Sequence, residues 1–360
     1  MPTALFIANA AVIHTVRWVN AIAQRGWSVH VLTLTPPREP LHEAVTVHLA
    51  PWGPPAGYFL DVPFAKRVIR DVRPDLVHAH YAAGYGTLAA LAAGHPLITS
   101  VWGSDIYAAP EKSPLHRRLI RWNLARSDLV LSTSHAMAER TRRHTAREIG
   151  ITPFGIDTEQ FSPRPGASPF QPTDVVVGTV KTLDSIYGID VLIRAFGLLK
   201  ERLPGCPLKL LLVGEGPQEA ALRRLARELG VDGDTVFAGR VEHRRVPEYQ
   251  NMLSVSVSVS TGEESFGVAV LEASACGKPV VVSSVGGLPE VVVDGATGIV
   301  VPPRDPVRTA DAIERLVRDP ELRRRMGEAG RRRVLELYDW ERSVDIMLGF
   351  YARVLAQRGA

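Results

Sequence analysis

Between Val255 and Gly298 the chain spells out a strand–helix–strand unit, and that grammar restricts the fold more than any other stretch. Val255-Ser256-Val257-Ser258-Val259-Ser260 alternates with the period of two of a strand. A short loop, Glu264-Ser265-Phe266-Gly267, then opens a helix expected over Val268–Ala275, and Gly277-Lys278-Pro279 stops it. Val280-Val281-Val282 follows as an unbroken apolar run of the kind that parallel sheets bury on both faces, and Gly286-Gly287 with Pro289-Glu290 makes a second glycine-rich turn. Strands that alternate with helices in this way belong to an α/β protein with a parallel sheet.

The same unit carries the first chemical signal. Glu264 and Glu272 are eight positions apart. On one helix that spacing separates them by about 12 Å along the axis and roughly 80° around it, so the two carboxylates need not share one atom. Glu264 would sit at the helix mouth and Glu272 two turns inside. The helix N-terminus offers unpaired N–H groups and a positive dipole end to an anion such as a phosphate, and Gly267 lets a ligand approach the backbone closely. Taken alone, two glutamates near a helix start have an ordinary structural explanation in the dipole. Two glycine-bearing loops beside one helix point further, to a ligand held from both sides.

The rest of the chain repeats the pattern. At 360 residues it is long for one core and comfortable for two domains. Ala4 to Ala8, a helix carrying Val16, Val19, Asn20 and Ala23, and Val29 to Leu34 read as an opening β-α-β unit stopped by Gly26. Leu76 to His80 is a strand that places His78 and His80 on the same side. Ile98 to Val101 leads into Trp102-Gly103-Ser104-Asp105, Asp128 to Ser132 is a further strand, and Ser134 opens a helix with Arg140, Arg142 and Arg143. Prolines from Pro153 to Pro172 mark a linker. Beyond it, Val175 to Lys181, Leu210 to Val213 and Val236 to Val241 read as strands, with glycine turns at Gly188 and at Gly214-Glu215-Gly216. Ala310 to Val317, Glu321 to Leu337 and a last amphipathic segment from Asp339, with Val344, Met347, Tyr351 and Val354 at helical spacing, close the chain.

Composition excludes several classes. A mean hydropathy of +0.03 fits a globular chain, and Cys206 and Cys276 lack metal-type spacing, so a reducing cytoplasm is expected. The start, Met1 to Ile7, has no signal-peptide character. Tyr81 to Ser104 has no charged residue, but Gly94, His95 and Pro96 divide it into a helix and a strand rather than a membrane span. The net charge is +4, yet Glu111 to Arg147 alone holds nine basic against three acidic residues, a local excess of +6. No binding motif or interleaved aromatic run accompanies it, which argues against nucleic acid. Anionic lipid headgroups are the sharper partner for such a face, beside the plain alternative of a solvated helix.

Glu264-x7-Glu272 with Phe266-Gly267, Gly277-Lys278-Pro279-Val280, Gly286-Gly287-x-Pro289-Glu290 and Gly295-x-x-Gly298, in that order, resembles the donor-site signature of retaining GT-B glycosyltransferases. The particular likeness is to the large nucleotide-sugar-dependent family of bacterial mannosyl- and N-acetylglucosaminyltransferases. The resemblance implies two Rossmann-like parallel-sheet domains facing across a cleft. Residues 1–163 would form the acceptor side, 164–338 the donor side, and 339–360 a helix returning to the first domain. It implies transfer of a hexosyl group, with retention, from a UDP- or GDP-linked sugar to a glycan or lipid-linked acceptor in cell-surface polysaccharide or glycolipid synthesis. Such an enzyme would be cytoplasmic, with peripheral contact to the membrane's inner face.

Residue by residue, the resemblance gives Glu264 the donor sugar hydroxyls, with N–H groups of Phe266 and Val268 assisting beside Gly267, and gives Glu272 the ribose. Gly214 and Glu215 would form a second wall, and backbone around Val241 would face the nucleobase. Relatives commonly carry Arg and Lys where this chain has Thr179 and Tyr187, leaving Lys181 as the one cation between them for the diphosphate. On the acceptor side Ala10, His14, His80, Trp102 and Asp105 are implied. Asn9-Ala10-Ala11 replaces the usual Gly-Gly, and Trp102 replaces a histidine; an indole can pack on a sugar but cannot exchange a proton. Two histidines are too few for zinc and no motif of Asp-x-Asp type suggests an obligatory metal, so neither metal nor other cofactor is expected. A nucleotide-sugar epimerase would need ionisable groups where Trp102 stands, a phosphorylase would need a lysine for pyridoxal phosphate, and a non-catalytic sugar-nucleotide binder would lack turnover.

Overall fold

The strands expected from apolar runs are all present in the computed structural model, which describes residues 1–94 and 96–357, and they pair in parallel throughout. Contacts divide the chain into two units, Met1–Pro153 with Glu341–Ala360, and Phe154–Trp340. The division falls just after Pro153, so the rest of the proline-rich run belongs to the second unit.

In the first unit β1 (Thr3–Ile7), β2 (Ser28–Thr33), β3 (Val45–Leu49), β4 (Leu76–His80), β5 (Leu97–Val101), β6 (Leu129–Ser132) and β7 (Ile149–Ile151) form one sheet in the order β3-β2-β1-β4-β5-β6-β7. Ala4 to Ile7 and all of β4 and β5 are buried, as strands covered by helices on both faces must be. Leu5, Ile7, Leu32, Val77, Leu88 and Leu97 share one side of this core. Ser113 and Ser134 cap the helices Pro114–Arg126 and His135–Arg142, their hydroxyls accepting from His116 and Met137 N–H. The uncharged stretch after Tyr81 resolves into the helix Tyr85–Ala92 and β5; His95, expected to help break it, lies outside the described residues. Among the described residues no helix is long and apolar enough to cross a membrane.

The second unit holds β8 (Val175–Val180), β9 (Leu208–Val213), β10 (Thr235–Gly239), β11 (Val255–Ser258), β12 (Val280–Ser283) and β13 (Gly298–Val301), ordered β10-β9-β8-β11-β12-β13. Its core is built from Val177, Leu210, Leu212, Val255, Val257 and Val281 under Leu192, Phe196 and Ile313 of the flanking helices. The strand order reverses direction between β8 and β11, whose register pairs Val177 with Val255 and Gly178 with Ser256. In open α/β sheets that reversal leaves a crevice at the carboxyl ends of the two strands.

Candidate functional site

Lys181 follows β8 directly and Glu264 follows β11 by six residues, so sheet order alone brings them to that crevice. Lys181 Nζ lies 3.0 Å from Glu264 Oε2 and 3.1 Å from Oε1. Ser260 Oγ donates to the same Oε2 at 3.2 Å, and the ring of Tyr187 lies 4.3 Å from Nζ, centroid to nitrogen. The two charged side chains are 21% and 13% exposed, a sheltered ion pair rather than a surface one. They line a crevice of about 10 Å³ together with Thr179, Tyr187, Ser260 and Gly267. A wider cavity of about 350 Å³ is lined by Lys181 with Val213, Gly214, Glu215, Arg240 and Val241. Lys181 is thus shared by both.

The glycines explain how the charges are held. Gly286 has φ +52°, and a Cβ there would collide with the Glu264 carbonyl, which also accepts from Gly287 N–H at 2.9 Å. Gly214, at φ +140°, backs the Lys181 carbonyl in the same way. Each charged residue is seated against a neighbouring loop at a distance that excludes any side chain. The helix Val268–Ala275 begins where expected, with Gly267 at φ +114° and no side-chain cap, so its first turn is left to the backbone. Phe266 is buried edge-on against Phe154 and Tyr338, which anchors the loop. Glu272 is 6% exposed within the helix and lines neither cavity. Cys276, just past this helix, is a free thiol that burial pushes up to about 12.

In the first unit the expected residues gather at the carboxyl ends of β1, β4 and β5, but most are interior. Trp102 lies 4.3 Å from the His80 ring and 6.1 Å from that of His14. His80 Nδ1 is 3.1 Å from Thr15 Oγ1; His78 bridges Tyr351 OH (2.6 Å) and Ser100 Oγ (2.8 Å). Burial holds His78 down to about 3 and His80 well below its ordinary value, so both are neutral. Ala10 is fully buried and its N–H donates to Thr33. Asp105, implied on the acceptor side, is 1% exposed and accepts from Ala82, Trp102 and Gly103 N–H. Its carboxylate ties the loops after β4 and β5 together, and burial raises its pKa despite those bonds. Sequence reasoning passed over Ser260 and Tyr187 as site residues. The period-two serines of β11 were the available signal for the first, and the tyrosine directly before Gly188 for the second.

The family described as "Glycosyl transferases group 1" matches residues 164–333, and "Glycosyl transferase 4-like" matches residues 4–134. The chain is 31% identical to D-inositol 3-phosphate glycosyltransferase of Stackebrandtia nassauensis, across 97% of this chain and 87% of that one. It is 29% identical to N-acetyl-alpha-D-glucosaminyl L-malate synthase of Bacillus anthracis, across 78% and 75%. Among solved structures, sucrose-phosphate synthase from Thermosynechococcus elongatus superimposes with a TM-score of 0.85 at 24% identity, covering 99% of this chain and 100% of that one. The chain therefore belongs to the group 1 glycosyltransferases, enzymes of GT-B fold that transfer a sugar from a nucleotide-sugar.

Proposed function

We propose that this enzyme transfers a hexosyl group, with retention, from a UDP- or GDP-linked sugar to a glycan or lipid-linked acceptor in cell-surface polysaccharide or glycolipid synthesis. The observation that carries the reading is the Lys181–Glu264 pair at the β8/β11 crevice, beside an uncapped helix start. Lys181 and the helix N–H groups meet the diphosphate and its leaving charge. Glu264 takes the sugar hydroxyls, Glu272 the ribose, and the Gly214–Val241 cavity the base. Solved relatives described as complexes with UDP and with UDP-glucose share the fold at 18% identity, in keeping with this class of donor. No metal is assigned a part in the reaction.

On the acceptor side, Trp102 and His14 are the proposed sugar contacts, with Ala10, His80 and Asp105 holding the loops behind them. A cytoplasmic enzyme bound peripherally to anionic membrane fits the helix Pro114–Arg126, which exposes Leu115 and Trp122. Arg118, Arg121 and Arg126 on that helix have no acidic partner among the described residues.

A thermal-shift screen with UDP, GDP, ADP and dTDP tests the donor reading. A nucleotide at 100 times its dissociation constant adds about 2.7 kcal/mol, and none moving the melt would remove the nucleotide from this site. Turnover of a radiolabelled donor separates the transferase from a silent binder.

A further inference from the structure

We propose that Tyr187 is a positioning residue for the Lys181 ammonium, its ring face holding the charge in place while the anion opposite it is exchanged. This rests on the assignment of Lys181 to the diphosphate. The ammonium is held from two directions, by the Glu264 carboxylate at 3.0 Å and by the Tyr187 ring at 4.3 Å from its centroid. Among the described residues no other lysine or arginine lines this crevice. A lysine stem is flexible, so an ammonium that must serve alone gains from a fixed wall.

The wall is fixed. Tyr187 N–H donates to Asp184 O at 3.1 Å, and the Asp184 carboxylate accepts from Ile186 N–H at 3.3 Å. Ile186 O accepts from both Thr261 and Gly262 N–H, at 2.8 and 3.1 Å, and Thr261 Oγ1 donates to Ser185 O at 3.1 Å. Gly188, at φ +64°, packs its α-carbon on the Val259 carbonyl where a Cβ would collide. The Ser185–Tyr187 turn is thereby sewn to the segment after β11 that carries Glu264, so ring and carboxylate form one rigid frame around Nζ. Diphosphate oxygens reaching the ammonium compete with Glu264, anion against anion. The ring does not compete, because it offers a quadrupole rather than a charge, and burial keeps its phenol protonated by raising its pKa.

Calorimetric titration of Tyr187→Phe, Tyr187→Leu and Tyr187→Met tests this, each with UDP or GDP, whichever wild type binds, and with the matching nucleoside. The two aliphatic variants are expected to bind the nucleoside diphosphate roughly tenfold more weakly, with nucleoside affinity unchanged and Tyr187→Phe within about twofold of wild type. In a Lys181→Ala background the aliphatic substitutions should cost nothing further. Equal losses for diphosphate and nucleoside, a loss that persists without Lys181, or a phenylalanine variant as weak as leucine would each overturn the assignment. Wild type binding neither UDP nor GDP would instead remove the donor reading beneath it, a result visible before any variant is made.

Discussion

Glu264 Oε2 is within reach of both the Lys181 ammonium and the Ser260 hydroxyl, and that double engagement sets what its replacement should do. Glu264→Gln keeps the shape and removes the charge that competes with a diphosphate, so nucleoside diphosphate affinity should rise severalfold in titration. In the same variant kcat should fall by about 100-fold or more, close to 2.7 kcal/mol of transition-state stabilisation. Weaker diphosphate binding in Glu264→Gln would mean that the carboxylate orients the lysine rather than opposing the ligand. Glu272→Ala should mainly raise the donor KM, since a ribose contact acts equally in ground and transition states. The places of both glutamates, before and within the helix Val268–Ala275, and of Lys181 directly after a strand were legible in the chain. Their pairing was not, because residues 83 positions apart meet through the adjacency of β8 and β11, which apolar periodicity does not encode. The tie that Asp105 makes between loops is hidden for a similar reason: its partner Ala82 comes from a different loop.

At the level of elements, the strands and the Val268–Ala275 helix could be read because apolar runs and glycine stops are local signals. β3 and β7 escaped: β3 is a half-exposed edge without a full apolar run, and β7 has three residues. The glycine turns were recognised as turns, but their part in seating charged residues depends on contacts between loops. Gly286→Ala puts a side chain at φ +52° and against the Glu264 carbonyl. It should lower kcat at least tenfold while the nucleoside affinity holds, as read by kinetics and calorimetry together; unchanged kcat would show that the Glu264 loop can shift freely.

The buried histidines of β4 give a pH dependence. His78 titrates near 3 when folded and at about 6.5 when unfolded, so the unfolded chain binds more protons between those values. Stability is full above pH 6.5 and falls as pH drops toward 3, by about 2 kcal/mol at pH 5 for one such group. Melting of wild type against His78→Gln across pH 7.5 to 5 should show a smaller acid-side loss in the variant.

For the molecule as a whole, the +6 segment predicts salt-sensitive sedimentation with anionic liposomes and none with neutral ones. Binding indifferent to both lipid charge and salt would leave its arginines as a solvated face. Two units were legible from length and the proline run, while their borders were not, because composition marks the linker and packing decides which side owns it.

The entry and exit of the second unit have a further consequence. Ile156 N–H donates to Tyr338 O at 2.8 Å, Trp340 N–H donates to Ile156 O at 3.0 Å, and Ile156 bridges Asp339 in parallel. A body of nearly two hundred residues thus begins and ends on adjacent, hydrogen-bonded backbone, in the manner of a cassette inserted into a host, and an insert whose ends already touch needs no host to close its loop. Scanning calorimetry should then resolve two transitions, of which a nucleoside diphosphate raises one. A single transition moved as a whole would mean that host and insert melt together.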